Sequence, residues 1–235
     1  MFYYIDWTYI VLVIPAMILA LYAQNKVNST FKKYSRVASR SGMTGAQAAR
    51  RLMELNGIYD VSIERVSGNL TDHYDPSKKV LRLSDSVYSD TSVAAIGVAA
   101  HETGHAIQHA RGYVPLTLRT VMVPLANLGS TLSMPLIFLG ILFSFSSRMG
   151  NSMINLGILL FGLSVVFTII TLPVEFNASR RAVACLGDSG ILYDDEIGGV
   201  KKVLSAAAMT YVASTAVALA NFLRLIIIFG GRRRD

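Results

Sequence analysis

The chain carries His101-Glu102-Thr103-Gly104-His105. Residues four apart on an α-helix share one face, about one turn apart, so two imidazoles placed this way can bind one zinc ion. Glu102 then stands beside the metal, where it can take a proton from a water that zinc acidifies. The bland alternative is two unrelated histidines packed together. On a helix of small residues, that arrangement gains little stability without a metal.

A helix must position these side chains, and its signals surround them. Asp90, Thr91 and Ser92 are N-cap candidates ahead of Val93-Ala94-Ala95-Ile96-Gly97-Val98-Ala99-Ala100. Gly112 suits the position just past the C-cap, and Pro115 cannot continue a helix. One helix of about twenty residues is therefore expected across the motif, long enough to hold its geometry. Gly97, Ala99, Ala100 and Gly104 would let neighbouring backbone come close.

The rest of the chain points to a membrane. Hydrophobic residues make up 52% and charged residues 16%, a composition too apolar for an ordinary soluble domain. The net charge is +7, but the basic residues follow the apolar blocks. They read as topology signals and lipid contacts, and no nucleic-acid-binding pattern is present. The lone Cys185 excludes an intrachain disulfide and a multi-cysteine zinc site, and reads as a small core residue.

Residues Trp7 to Tyr22 carry no charge and are flanked by interfacial aromatics, so they are expected to form a retained transmembrane anchor, with an interfacial helix as the alternative. A basic juxtamembrane stretch follows, including Lys26, Lys32, Lys33, Arg36 and Arg40. Thr44 is the expected cap of a helix over residues 45–56. Val61–Val66 and Lys79–Leu83 alternate like short strands, joined by a turn-rich stretch at 70–78. Such a sheet could pair its edge with an extended peptide.

Beyond the motif helix, Val121–Phe145 and Met153–Pro173 are uncharged runs of 25 and 21 residues, joined by a short link. They are expected to form an antiparallel hairpin that returns the chain to the side it left. Glu175 is the first acidic residue after the motif and emerges on that side. Catalytic zinc takes three protein ligands and keeps one position open, which makes Glu175 the expected third ligand beside His101 and His105. His109 lies one more turn along and is expected in a supporting or surface role; a third helical ligand is the alternative. His73 reads as an ordinary loop histidine within reach of the site. Arg180 and Arg181 could orient a carboxylate or touch lipid headgroups. Leu204–Gly231 is apolar and rich in small residues, with Arg232–Arg234 after it. Spanning there would put three arginines outside, against the positive-inside trend. Three spans are therefore expected, with a fourth as the alternative.

Three strings then act together: His-Glu-Thr-Gly-His-Ala-Ile-Gln-His at 101–109, Leu-Thr-Asp-His-Tyr-Asp-Pro at 70–76 and Glu-Phe-Asn-Ala-Ser-Arg-Arg-Ala at 175–182. They resemble the bacterial YugP-like membrane zinc metallopeptidases, over nearly the whole chain. A more remote similarity is to the HtpX and CAAX-protease group of gluzincins, in which a Glu on a later helix completes the site. There the Glu is commonly followed four residues on by Asp; Ser179 occupies that position here, so no role is carried over from that Asp. The resemblance implies a zinc peptidase facing the cytoplasm from the bacterial plasma membrane, and implies no substrate.

The expected fold is a mainly α, multi-pass membrane protein with a gluzincin-like α+β zinc metallopeptidase domain and a small sheet. Its expected divisions are an anchor (1–24), a cytoplasmic domain with the motif helix (25–118), a transmembrane hairpin (119–174) and a closing segment (175–235). His101, His105 and Glu175 are expected to hold Zn2+, with Glu102 as general base and acid for peptide hydrolysis. Tyr113, His73 and His109 are candidates to steady the oxyanion. The expected partners are a peptide or membrane-protein substrate and the lipid bilayer; no oligomeric state is implied. The alternative is a membrane scaffold with a structural metal, against which the intact Glu102 argues. A metal transporter is disfavoured because the two long apolar runs hold no acidic or His ligands.

Overall fold

The computed structural model describes residues 6–143 and 148–230. The expected hairpin tip at Ser146–Ser147 and the basic Arg232–Arg234 lie outside the described residues. A π-helical turn, Tyr9–Val13, runs into α1 (Ile14–Tyr34). Then come α2 (Gly45–Leu55), β1 (Ser62–Val66), β2 (His73–Asp75), β3 (Val80–Ser84) and the single-turn α3 (Asp85–Tyr88). The motif helix is α4 (Val93–Ala110), followed by α5 (Val114–Phe143), α6 (Arg148–Ser189) and α7 (Asp194–Gly230). The chain is mostly helical, and four helices are long and apolar enough to cross a membrane: Tyr9–Tyr34, Val114–Phe143, Arg148–Ser189 and Asp194–Gly230. The structure thus offers one more candidate span than the three favoured by charge counting.

The chain forms two compact units. The first is built from the described residues of Met1–Tyr22, Leu118–Leu172 and Tyr211–Asp235. Within it, α5 and α6 pack closely where a Cβ on Gly157 would lie 2.8 Å from the Ser133 carbonyl oxygen, a small-residue contact suited to helices in lipid. The Ser164 hydroxyl donates to the Ala126 carbonyl across the same pair. Val13 and Ala16 of the N-terminal helix pack on Ala220 of α7. Arg224 is buried, 3.5 Å from the Asp6 carboxylate and 5.3 Å from the centre of the Tyr9 ring. Counting charges along the sequence could not anticipate that pairing. The end of α7 packs with the start of α1 in this unit, whereas the sequence grouped all of residues 175–235 with the domain of the motif helix.

The second unit comprises Ala23–Thr117 and Pro173–Thr210. Thr44 caps α2 with a full capping box: its side chain accepts from the Gln47 amide, and the Gln47 side chain accepts from Thr44 N–H. Such a cap is worth about 1 kcal/mol. The sheet has the order β1–β3–β2, with β1 parallel and β2 antiparallel to β3. β2 lies inside the stretch read as turn-rich. Three residues are too few to show alternation, and it is pairing with β3 that makes them a strand.

The Ser92 side chain accepts from the Ala95 amide to start α4, and Gly112 takes a φ of +60° just past its end. Buried residues occupy nearly the whole circumference of α4, as expected of a helix at the centre of a core. Ala95, Ala99, Ala106 and Ile107 pack with Met53, Leu81 and Leu83 of α2 and β3. Val93, Ile96 and Ala100 pack with Ala182 and Leu186 of α6 and with Val200 and Leu204 of α7. The motif is therefore held from both sides.

Candidate metal centre

His101 and His105 extend from one face of α4, with ring centroids 4.9 Å apart and planes nearly perpendicular. Glu175 meets them from α6, which continues unbroken through Pro173. Its Oε2 lies 3.2 Å from His101 Nε2 and 3.5 Å from His105 Nε2. One donor atom from each residue falls within 4.8 Å of the other two. Among the described residues, this is the one such group of three.

The donor set fits zinc. With metal–ligand distances of about 2.0–2.1 Å, ligands on a tetrahedron lie roughly 3.3–3.4 Å apart. The two His–Glu separations bracket that edge. The carboxylate side chain is 3% exposed and the two imidazoles 13% and 9%, so an ion there would be largely shielded from water. Two neutral imidazoles and one carboxylate would leave a net charge of +1 with Zn2+.

What brings the helices this close is Gly104. A Cβ built there would stand 2.6 Å from the Ala178 carbonyl oxygen of α6, so only glycine fits without displacement. Ala178 lies one turn beyond Glu175, which ties this contact directly to the seating of the carboxylate.

Glu102 is buried beside the cluster. Burial pushes its carboxyl up to about 7; the field of His101 opposes the rise, while Glu175 and Asp72 add to it. A cation in the site would favour the carboxylate form.

The structure separates the remaining candidates. His73 uses both ring nitrogens: Nδ1 lies 2.9 Å from the Thr71 carbonyl oxygen and Nε2 lies 3.3 Å from Arg82 Nη1. Both ring nitrogens are thus engaged within the sheet and its turn rather than at the cluster. His109 is exposed, with Nδ1 2.8 Å from the Tyr74 hydroxyl, and is not in the cluster. Tyr113 directs its hydroxyl to the Pro173 carbonyl at 3.5 Å. Arg180 is exposed, whereas the Arg181 Nε donates to Asn177 at 2.7 Å and its guanidinium lies 5.9 Å from the Tyr113 ring centre.

Two residues at the site received no role from the sequence. Ser179 Oγ lies 3.1 Å from His101 Nδ1, and Gln108 Oε1 lies 3.0 Å from His105 Nδ1. Their signals are positional: Gln108 follows His105 by three residues on the same face of α4, and Ser179 follows Glu175 by four on the face of α6 that meets His101.

Residues 9–230 match the family described as "Putative neutral zinc metallopeptidase". The chain is 50% identical over 222 residues to the "Putative membrane protease YugP" of Bacillus subtilis (strain 168), covering 94% of this chain and 96% of that protein. No solved structure matches. By the extent of both matches, this chain belongs to the YugP-like family, whose family description is "Putative neutral zinc metallopeptidase".

Proposed function

We propose that this protein is a membrane-bound zinc metalloendopeptidase, gluzincin-like in its site, that hydrolyses membrane-associated proteins at the cytoplasmic surface. The observation that carries the reading is the buried convergence of His101, His105 and Glu175 with Glu102 on the same helix. His101 and His105 would hold zinc through Nε2 and Glu175 through its carboxylate. Zinc so held supplies a Lewis acid that polarises the scissile carbonyl and acidifies a water molecule. Glu102 accepts the proton of the attacking water and delivers it to the leaving amine nitrogen. Its burial excludes bulk water from that transfer.

β2 pairs with β3 on one side only, so its other edge offers backbone donors and acceptors to an extended peptide. The Tyr74–His109 contact ties this strand to α4. Glu175 follows an uncharged 21-residue run by two residues on one helix. Sequence continuity thus favours substrates cut close to the bilayer. Basic residues at 26–51, against Arg148 alone near the hairpin tip, favour a cytoplasmic site.

The test is a set of variants assayed for zinc and for hydrolysis separately. Glu102→Gln should keep one zinc and lose hydrolysis, while Glu175→Ala should lose the zinc. Full zinc occupancy in Glu175→Ala would move the third ligand elsewhere. Zinc-loaded wild type that cleaves no membrane protein would favour the scaffold reading.

A further inference from the structure

Gln108 is fully buried between α4 and α6. Its Nε2 lies 2.8 Å from the Val174 carbonyl oxygen and 3.0 Å from Asn177 Oδ1. Its Oε1 faces His105 Nδ1 at 3.0 Å. Every polar atom of this amide is therefore engaged, and the contacts are not interchangeable. A backbone carbonyl can only accept, so the end facing Val174 must be the nitrogen. Asn177 Oδ1 agrees, because it also accepts from Arg181 Nε at 2.7 Å and a guanidinium can only donate. The opposite end of the Gln108 amide is then the oxygen, which can only accept. His105 Nδ1 is therefore the nitrogen that donates to Gln108, which leaves Nε2 as the nitrogen free to take a metal. That nitrogen faces Glu175 Oε2 at 3.5 Å.

We propose that Gln108 is a positioning residue that reads the backbone of α6 at Val174 and fixes His105 with Nε2 as its metal-facing nitrogen. The carbonyl that sets the amide belongs to the residue immediately before Glu175. One buried side chain thus couples the seating of the carboxylate on α6 to the tautomer and ring orientation of an imidazole on α4. The proposal rests on the reading of His105 as a zinc ligand. A neutral amide in this place holds the ring without adding charge to it, unlike the carboxylate that often supports a metal-bound histidine.

The test compares Gln108→Met with wild type, because methionine keeps the length and bulk of the side chain and removes both ends of the relay. Zinc affinity of the metal-free protein is measured by competition with a chromophoric chelator, cobalt is used to record the visible spectrum of the site, and melting is followed without metal. Gln108→Met should bind zinc roughly 10–100-fold more weakly, a loss typical of residues that orient a ligand. Its cobalt spectrum should change while its metal-free melting stays close to that of wild type. Unchanged zinc affinity in Gln108→Met, with affinity lost in His105→Ala, overturns the proposal and leaves the ligand assignment standing. Unchanged affinity in His105→Ala overturns the ligand assignment and the proposal with it. Should Gln108→Met not fold, wild type loaded with NMR-active cadmium decides the matter through isotope-labelled histidine. Coupling of the metal to His105 Nε2 supports the relay, and coupling to Nδ1 overturns it.

Discussion

Substituting Gly104 by Ala tests whether the close crossing of α4 and α6 is what assembles the metal centre. The new Cβ would stand 2.6 Å from the Ala178 carbonyl oxygen, 3.1 Å from its carbonyl carbon and 3.2 Å from its α-carbon. Ordinary van der Waals separation begins near 3.4 Å, so the helices must separate locally by about 0.8 Å, and the obstacle is backbone rather than a side chain that can turn away. Two terms oppose each other. Alanine favours the helix by about 0.8–1.0 kcal/mol over glycine, while overpacking a tight contact costs about 1–3 kcal/mol. The metal-free fold should therefore lose at most about 2 kcal/mol. Zinc should suffer more, because a shift of that size carries Glu175 Oε2 from 3.2 and 3.5 Å toward about 4 Å from the imidazole nitrogens, beyond a tetrahedral edge of about 3.4 Å. A loss of about 1.4–2.8 kcal/mol in binding corresponds to roughly 10–100-fold in affinity. The assay is chelator competition on the detergent-solubilised protein, with melting of the metal-free form beside it. Gly187→Ala on α6 is the control, because nothing lies within 4 Å of its added Cβ; it should bind zinc as wild type does. Gly104→Ala with wild-type zinc affinity would refute the idea that this contact sets the third ligand.

Metal removal should couple to pH through Glu102. Its carboxyl in the metal-free fold is raised to about 7 from an ordinary 4.5, so between those values the fold holds a proton that the unfolded chain has released. Stability of the metal-free protein should fall as pH rises from 4.5 through 7, by up to about 3 kcal/mol, and Glu102→Gln should remove that slope. Chelator-treated and zinc-loaded melts across this range check it, and a pH-independent gap between them would count against the buried base. Topology follows from the pairing of Arg224 with Asp6, which puts the end of α7 beside the start of α1. In a Cys185→Ala background, Ser35→Cys should label from the cytoplasm, and Asn151→Cys and Gly230→Cys from outside. Labelling of Gly230→Cys from inside restores three spans. Finally, one cleavable sequence fused to a transmembrane helix should be cut fastest with short linkers, because anchoring raises its local concentration; equal cutting of soluble and tethered forms would remove the bilayer from substrate selection.

Much of the local structure was legible because it is written in short-range chemistry. The His101–His105 spacing, the Ser92 and Thr44 caps, Gly112 past the end of α4 and the uncharged runs after residue 120 each act within a few residues, where helix period and side-chain size suffice. Glu175 was reachable as well, through the topology that two apolar runs impose on whatever follows them. The three residues of β2 were not legible, since their strand exists only through pairing with β3. Nor was the place of α7, where a buried Arg224 finds Asp6 more than two hundred residues away. Gln108 and Ser179 carried no visible motif either. A glutamine and a serine are common on helices, and they reach the site only because Gly104 lets α6 approach until the Val174 carbonyl meets Gln108 and Glu175 faces the two imidazoles. Residue types and spacing along the chain set which side chains could hold a metal and activate water. Which nitrogen each imidazole turns to Glu175, and how near the carboxylate comes, follow from packing, because both depend on donors and acceptors brought together across two helices.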